Sequence, residues 1–578
     1  MANLTYILQS VRGMPRPGWR DALLFVAFFA LLVGTLHLTK AMHAPFSPEA
    51  PMEIDLSPLA LPGYAARSLL RMFLAFGASI LFTLVYGYVA AYNRSAEKVL
   101  VPLLDILQSV PVLGFLSVTV TGFMALFPGS LMGLECASLF AIFTGQAWNM
   151  TFSFYQSLRT IPKELREAST VYQLTWWQRF IKLEVPFSMI SLVWNGMMSF
   201  GGGWFFLAAS EAISVLNHQF KLPGIGSYMA TAVDKGDMRA VAWAVVTMVT
   251  IVVLVDQLFW RPIVAWAQKF KFEQTESGQE PTSAVLDLLR KSVLLPWLEE
   301  RVFAPLGKRI DRLFSRSAQW GQEMHLPPII GQAIRIAFTV ALVGLVGYGL
   351  WRTVQVVGSG FTWMEALHVA YQGLLTLLRV AVMVIVATVV WTPIGVWIGF
   401  SPRLARIAQP LVQIGASFPA NLIFPVVVLL FIKLHIALNW GSILLLALGT
   451  QWYILFNVIA GATAVPGDLR EAAVVFRLRN WTLWRTLILP AIFPAWVTGA
   501  LTAAGGAWNA SIVAEVASWG TQKLQAEGLG AYIAQATEAG HWPQIIVGIA
   551  IMSLYVVLLN RFVWRPLYGL AETRYRLD

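Results

Sequence analysis

Two constellations of polar residues recur in this chain, and both recur in register. The first is Ile161-Pro-Lys-Glu-Leu-Arg-Glu-Ala-Ser169, which returns as Val465-Pro-Gly-Asp-Leu-Arg-Glu-Ala-Ala473. Each copy reaches a proline nineteen residues after its second acid, Glu167 to Pro186 and Glu471 to Pro490. Arg166, Glu167 and Ala168, matched by Arg470, Glu471 and Ala472, set a cation and an anion beside a small residue. That combination suits close approach by another surface rather than bond-breaking. The second constellation is a glycine-rich stretch followed by Trp204 and Glu211, repeated as Trp508, Asn509 and Glu515. These acids stand in apolar runs, where an unpaired carboxylate costs a few kcal/mol.

Other chemistry is missing from the sequence. The histidines (His37, His43, His218, His325, His368, His435, His541) show neither His-x-x-x-His nor pairing with cysteine, so no metal site is expected. The single Cys136 excludes an intrachain disulfide. No Gly-x-x-x-x-Gly-Lys-Ser/Thr phosphate loop occurs, so the chain is not expected to hold ATP in that way. No nucleophile elbow is present, and no catalytic residue is expected.

The elements that carry these residues are membrane spans. The chain has 578 residues, 57% of them hydrophobic and 12% charged, where a soluble domain carries about a quarter. Apolar runs of about 20 residues, the length that crosses a bilayer, recur throughout. Six spans fit the first half, near 21–39, 68–92, 102–127, 131–156, 186–214 and 238–260. Six more fit the second, near 329–351, 371–399, 409–433, 440–462, 490–517 and 543–563. The first run follows Arg12, Arg16 and Arg20 but lacks a small-x-small cleavage site, so it reads as a retained span. The loop 41–66 is acidic without Lys or Arg, whereas the segments around Glu167 and Glu471 are cationic. The positive-inside rule then puts both termini in the cytoplasm. The net charge of +11 is accounted for by these loops and calls for no nucleic-acid partner.

The halves are duplicates. An offset of 304 pairs Glu167 with Glu471, Trp204 with Trp508, Glu211 with Glu515, Gly224 and Gly226 with Gly528 and Gly530, and Trp260-Arg-Pro262 with Trp564-Arg-Pro566. Earlier in each half the offset is 308, pairing Arg71 with Arg379 and Pro111 with Pro419, so a four-residue difference falls between about 112 and 160. An even number of spans per repeat gives parallel repeats with a shared interface, where substrate paths run. Pro111 and Pro419 sit inside apolar spans and break or kink them, either for packing or to line such a path. Two roles are likewise open to Glu211 and Glu515: a buried hydrogen bond that fixes the halves, or a gate. Trp204, Trp508 and Asn509 either pack or line the path.

The organisation expected is an N-terminal span and external loop (1–66), a first repeat (67–263), an amphipathic linker on the inner membrane surface (264–328), an extra span and loop (329–370) and a second repeat (371–578). In the first docking segment Leu165, Ala168, Val171 and Tyr172 recur at helical spacing as one apolar stripe, and the second repeats it with Leu469, Ala472, Val475 and Phe476.

Glu-Ala-Ala or Glu-Ala-Ser with a proline nineteen residues on resembles the EAA loop of ABC-importer permeases, which forms the coupling helix of that family. The Trp-to-Glu stretch after glycines is similar to the nitrate/sulfonate/taurine group, in a fused, duplicated form. The resemblance implies an all-α type I ABC importer transmembrane fold of about 12 spans in a bacterial inner membrane. It also implies coupling positions at Arg166, Glu167 and Ala168 and at Arg470, Glu471 and Ala472. Its implied partners are two ATP-binding-cassette subunits that bind the ATP, and an external solute-binding protein that delivers a small anion such as nitrate, bicarbonate or an organosulfonate. The family's usual glycine six residues after the glutamate is replaced here by Gln173 and Arg477. The rival class is an ion-coupled secondary transporter of the major-facilitator kind. It has twelve spans in two parallel halves but no use for a duplicated docking hairpin.

Overall fold

The computed structural model describes residues 18–46, 52–215, 218–270, 283–292, 296–297, 299–323, 362–520 and 522–575, with scattered positions between 337 and 358. Most of the expected span near 329–351 and most of the polar piece 271–283 fall outside the described residues.

After an N-terminal helix α1 (Trp19–Ala41), the first repeat runs α2 (Leu61–Tyr92), α3 (Arg94–Ser109), α4 (Leu116–Leu126), α5 (Met132–Thr160), α6 (Lys163–Val171), α7 (Trp176–Arg179) and α8 (Val185–Glu211). An antiparallel hairpin follows, β1 (Ala212–Val215) with β2 (His218–Lys221), then α9 (Ile225–Asp234), α10 (Met238–Val255) and α11 (Arg261–Ala267). The linker supplies α12 (Ala284–Arg290) and α13 (Ala304–Glu323). The second repeat restates the order: α14 (Trp363–Gly399), α15 (Pro402–Ser417), α16 (Phe424–Leu434), α17 (Leu438–Thr463), α18 (Gly467–Val475), α19 (Asn480–Leu483) and α20 (Leu489–Ala514). It closes with hairpin β3 (Val516–Trp519) and β4 (Gln522–Gln525), α21 (Leu529–Ala539), α22 (Trp542–Leu559) and α23 (Arg565–Arg574).

Polar caps set the boundaries between apolar helices. Asn93 ends α2 and caps α3, its Oδ1 accepting from the N–H groups of Ser95 (3.0 Å) and Ala96 (3.1 Å). Asp237 caps α10 through Arg239 N (2.9 Å) and Ala240 N (3.1 Å). Thr362 caps α14 through Glu365 N (3.3 Å). Six described stretches, Pro58–Tyr92, Met238–Phe270, Trp363–Gly399, Leu438–Thr463, Asn480–Ala514 and Trp542–Ala571, are long and apolar enough to cross a bilayer. The more polar α5 and α8, with 29 and 27 residues, have the length as well.

The expected single spans near 102–127 and 409–433 are each two helices. Pro111 and Pro419 begin short 3-10 turns, Val112–Phe115 and Ala420–Leu422, between α3 and α4 and between α15 and α16. A proline cannot donate to the carbonyl four residues back, so the chain re-aims there. Other prolines act more mildly. At Phe180–Glu184, Asp256–Trp260, Trp484–Ile488 and Asn560–Trp564 the helix widens to π geometry just before Pro186, Pro262, Pro490 and Pro566. One wide turn absorbs the missing hydrogen bond and leaves the helix continuous. The nineteen-residue spacing therefore ends at a wide turn where α8 and α20 begin. The four-residue length difference falls between 126 and 135, since α4 and α16 match at 308 (116 to 424) and Glu135 meets its counterpart Asn439 at 304.

Within each repeat one helix is central: α5 packs along α2 and α8, and α17 along α14 and α20. The core is not divided by repeat. One cluster joins Val112, Leu113 and Leu116 of the first repeat to Ala503, Trp508 and Ile512 of the second. Close approach is extreme where α9 and α21 cross the ends of α8 and α20. A Cβ on Gly226 would lie 2.5 Å from the Ala208 carbonyl oxygen, and one on Gly530 would strike the Ser511 carbonyl. Gly226→Ala and Gly530→Ala are each expected to cost about 1–3 kcal/mol from overpacking. Gly505→Ala, where nothing lies within 4 Å, should cost nothing measurable. Thermal unfolding of the detergent-solubilised variants measures the difference.

Candidate functional site

The candidate docking segments form as helices with a proline at the N-cap, Pro162 for α6 and Pro466 for α18. Each arginine of the motif folds back. Arg166 Nη2 donates to the Leu158 carbonyl at 2.7 Å, and Arg470 Nη2 to the Ala462 carbonyl at 2.7 Å. Those carbonyls belong to the last turns of α5 and α17, which lack helical partners. Arg470 also lies over the Phe400 ring, 4.4 Å from its centre. The arginines therefore orient the docking helices, while Glu167 and Glu471 point to solvent. Ser169 and Ala473 are buried, and Ala168 and Ala472 half-buried. The expected apolar stripe divides: Leu165 packs inward, whereas Val171 and Tyr172, like Val475 and Phe476, are more than three-quarters exposed.

Both helices end in the same left-handed turn. Leu174 N donates to the Ser169 carbonyl (3.0 Å) and Leu478 N to the Ala473 carbonyl (2.9 Å). The residue between adopts φ +49° at Gln173 and +53° at Arg477, the two places where the resembled family has glycine. The turn is kept without the glycine, at the steric cost that an L-residue meets there.

At the opposite ends of α5 and α8 lies a buried charge cluster. Arg71 on α2 donates through Nε and Nη2 to both oxygens of Glu135 (2.5 and 2.7 Å), and through Nη1 to Glu211 Oε1 (2.7 Å) and the Pro223 carbonyl (3.0 Å). Glu211 accepts further from Ser68 Oγ (2.6 Å) and Gly226 N (2.7 Å). Both Arg71 and Glu211 are wholly buried. In the second repeat Arg379 Nη1 meets Glu515 Oε1 at 2.9 Å, and Thr376 Oγ1 replaces Ser68 at 2.8 Å. There Asn439 stands for Glu135, accepting from Arg379 Nη2 at Oδ1 (3.2 Å) and from Nε at its own carbonyl (3.1 Å). A Cβ on Gly224 or Gly528 would fall on the Glu211 or Glu515 carboxylate, so the repeated glycines make room for the acids. The sequence paired Arg71 with Arg379 by offset but did not join them to Glu211 and Glu515. The available signal was that a buried acid in an apolar span demands a cation at the same depth, and each repeat offers one.

The repeats meet along α8 with α15 and along α20 with the break at Pro111. Asn509 Oδ1 accepts from Val112 N (2.8 Å), which the proline-induced turn leaves without a helical partner. At the matching place Phe205 replaces Asn509, and Asn421 Nδ2 donates to the Phe205 carbonyl instead (3.4 Å). Gln413 Nε2 crosses from α15 to Asp256 Oδ1 (3.4 Å). At the hairpin end Gly520 N donates to the Val233 carbonyl of α9 (3.1 Å). Two small cavities of about 10 and 30 Å³ lie between α8 and α15, bordered by Met197, Gly201, Gln413 and Ser417. That is space for one or two water molecules. Trp204 and Trp508 are core residues. Trp204 packs edge-on to Phe200 (5.7 Å) beside one cavity, and Trp508 stacks on Tyr555 (6.1 Å).

Two outcomes follow from this geometry. Glu211→Ala, which strands part of the Arg71 charge, should cost about 3–5 kcal/mol. Glu135→Asn reproduces the arrangement of the second repeat and should cost clearly less, as read from melting temperatures. Gln173→Gly and Arg477→Gly should each stabilise by about 1 kcal/mol by relieving the left-handed turn, visible as a higher melting temperature of the double variant.

Comparison with known proteins agrees with this architecture. Residues 83–259 and 391–564 each match the family described as binding-protein-dependent transport system inner membrane component. The nitrate import permease protein NrtB of Leptolyngbya laminosa is 26% identical over 270 residues, 43% of this chain and 92% of that protein. The bicarbonate transport system permease protein CmpB of Synechococcus elongatus is 26% identical over 193 residues, 33% of this chain and 66% of that protein. The putative aliphatic sulfonates transport permease protein SsuC of Bacillus subtilis is 28% identical over 170 residues, 29% of this chain and 58% of that protein. Each relative thus corresponds to part of a chain that carries the domain twice. With two matched domains, duplicated helices and relatives that are transport permease subunits, the chain belongs to the family of binding-protein-dependent transport system inner membrane components, as a duplicated multi-pass ABC-importer permease, a transport subunit.

Proposed function

We propose that this permease carries a small oxyanion, of the class of nitrate, bicarbonate or an organosulfonate, across the bacterial inner membrane between its two repeats. An external binding protein delivers the solute to the end bearing the hairpins and the Arg–Glu clusters. Two ATPase subunits, which hold the ATP, dock at the other end on α6 and α18. Both termini then lie in the cytoplasm. The observation that carries this reading is the duplicated docking surface: an exposed glutamate, Glu167 or Glu471, one turn before an exposed valine–aromatic pair, Val171–Tyr172 or Val475–Phe476. A chain turn alone needs no solvent-facing apolar pair, and a cleft in a partner would cover it. The names of the relatives support the oxyanion class. The pairing of Arg71 and Arg379 with acids supports a positioning role for Glu211 and Glu515 rather than direct contact with an anion.

The Glu167→Ala/Glu471→Ala double variant should fold and reach the membrane yet lose at least ten-fold in ATP-dependent uptake, since both glutamates are exposed. Vesicles holding the chain, its copurified ATPase and its binding protein measure this. Undiminished uptake by the double variant overturns the docking assignment. Uptake driven by an ion gradient without ATP supports the secondary-transporter class instead.

A further inference from the structure

The two docking hairpins have the same order of helices but very different fastenings. In the first, Phe314 of linker helix α13 stacks on Trp177 with ring centres 4.5 Å apart and planes 21° apart, and meets Trp176 edge-on at 5.9 Å. Thr175 and Gln178 close a reciprocal cap on α7: Gln178 N donates to Thr175 Oγ1 (3.3 Å) and Thr175 N to Gln178 Oε1 (3.2 Å). Arg179 Nε pairs with buried Glu184 at 2.8 Å and its guanidinium lies over Tyr92, whose hydroxyl donates to the same Glu184 oxygen at 2.6 Å. The ring stack thus ties this hairpin to the linker and Tyr92 ties it to α2, while the capping box and the Arg179–Glu184 pair brace it internally.

Every one of these ties is replaced in the second hairpin. Leu483 and Ile488 stand where Arg179 and Glu184 stand in the first, and Phe400 stands for Tyr92. Arg479 begins α19 without a side-chain cap, and Asn480 takes a left-handed φ of +52°. Trp481, the counterpart of Trp177, is 68% exposed, and among the described residues no ring stacks on it. Among the described residues, the linker meets the first hairpin through Phe314 and the N-terminal helix α1 through Ser292 Oγ, which donates to Asp21 Oδ1 (2.8 Å).

We propose that the permease has one fixed and one compliant docking hairpin: residues 163–184 are strapped down by α13 through Phe314, and residues 467–488 take up the displacement when the partner moves. The exposed Trp481 and Phe476 then belong to the surface that the partner covers at the compliant site. This rests on the proposed docking of an ATPase, but its test does not require that reading. Hydrogen–deuterium exchange of the full chain in lipid nanodiscs, prepared with whatever copurifies, reads both hairpins at once. Amides in 163–184 are expected to exchange at least ten-fold more slowly than those in 467–488. Phe314→Ala should remove much of that difference by accelerating 163–184 alone, and Trp177→Leu, which keeps apolar bulk without the stack, should act in the same direction. Equal protection of the two hairpins in the unaltered chain overturns the proposal. So does protection of 163–184 that neither variant changes. Unequal protection in a preparation that never yields an ATPase leaves the strap standing and overturns only the docking reading.

Discussion

The fold depends on a guanidinium that has been taken out of water. Arg71 is wholly buried, and the cost of removing its charge is recovered only if several acceptors reach it in good geometry. Those acceptors come from α5, from the end of α8 and from the segment before α9. One side chain therefore sets the mutual register of three helices. It also fixes where the hairpin β1–β2 leaves α8, because Ser227 Oγ and Leu222 N both donate to the Glu211 carbonyl. The second repeat solves the same problem with one acid fewer, using the Asn439 side chain and backbone in place of Glu135. The first cluster holds one cation and two acids and the second one cation and one acid, so an excess acid marks the first repeat.

With that end of the molecule pinned, the proline-bearing turns shape the rest. The π turns before Pro186 and Pro490 let α8 and α20 continue from the docking hairpins without a sharp kink. At Pro111 and Pro419 the break is complete, and at Pro111 the freed backbone N–H is turned to the neighbouring repeat. Asn509 takes up the N–H of Val112 across the interface. A helix defect inside one repeat has become a bond between repeats, which is how irregular backbone is tolerated at membrane depth.

Much of this was legible in the sequence because duplication supplies an internal control. Positions that return at a constant offset, such as Gly226 and Gly530 or Glu211 and Glu515, announce a shared constraint even before its nature is known. Periodicity and proline placement located the helices and both breaks. The partners of the acids were not legible, since Arg71 and Arg379 lie some 140 residues away and only the packing of α2 against α8 joins them. The division of the docking stripe was missed for a related reason. Val171, six residues on, lies about 120° round the helix from Leu165, and Tyr172 is the C-cap beyond the last helical residue, so neither shares the face that Leu165 buries. The fastening of Trp177 by Phe314 was beyond reach, because nothing local in the linker specifies which aromatic it meets.

Where the repeats differ, the differences fit together. Asp256 of the first repeat faces Gln413 of the second across their interface. The counterpart of Gln413 is Asp105 (413 less 308) and that of Asp256 is Asn560 (256 plus 304). Two copies of the first repeat placed in this same arrangement would bring two acidic positions together at a poorly solvated interface, a like-charge pair that is costly there. Two copies of the second would set Asn560 against Gln413, which carries no such penalty. The acid-bearing half is thus matched to an amide-bearing partner and mismatched to itself. Joining the halves in one chain supplies that partner every time, and it frees the first repeat to keep acids at Asp105, Glu135 and Asp256 where the second has Gln413, Asn439 and Asn560. A symmetric dimer has to satisfy each contact twice with the same residues. The fused chain does not, and the one-sided fastening of its docking hairpins is a further use of that freedom.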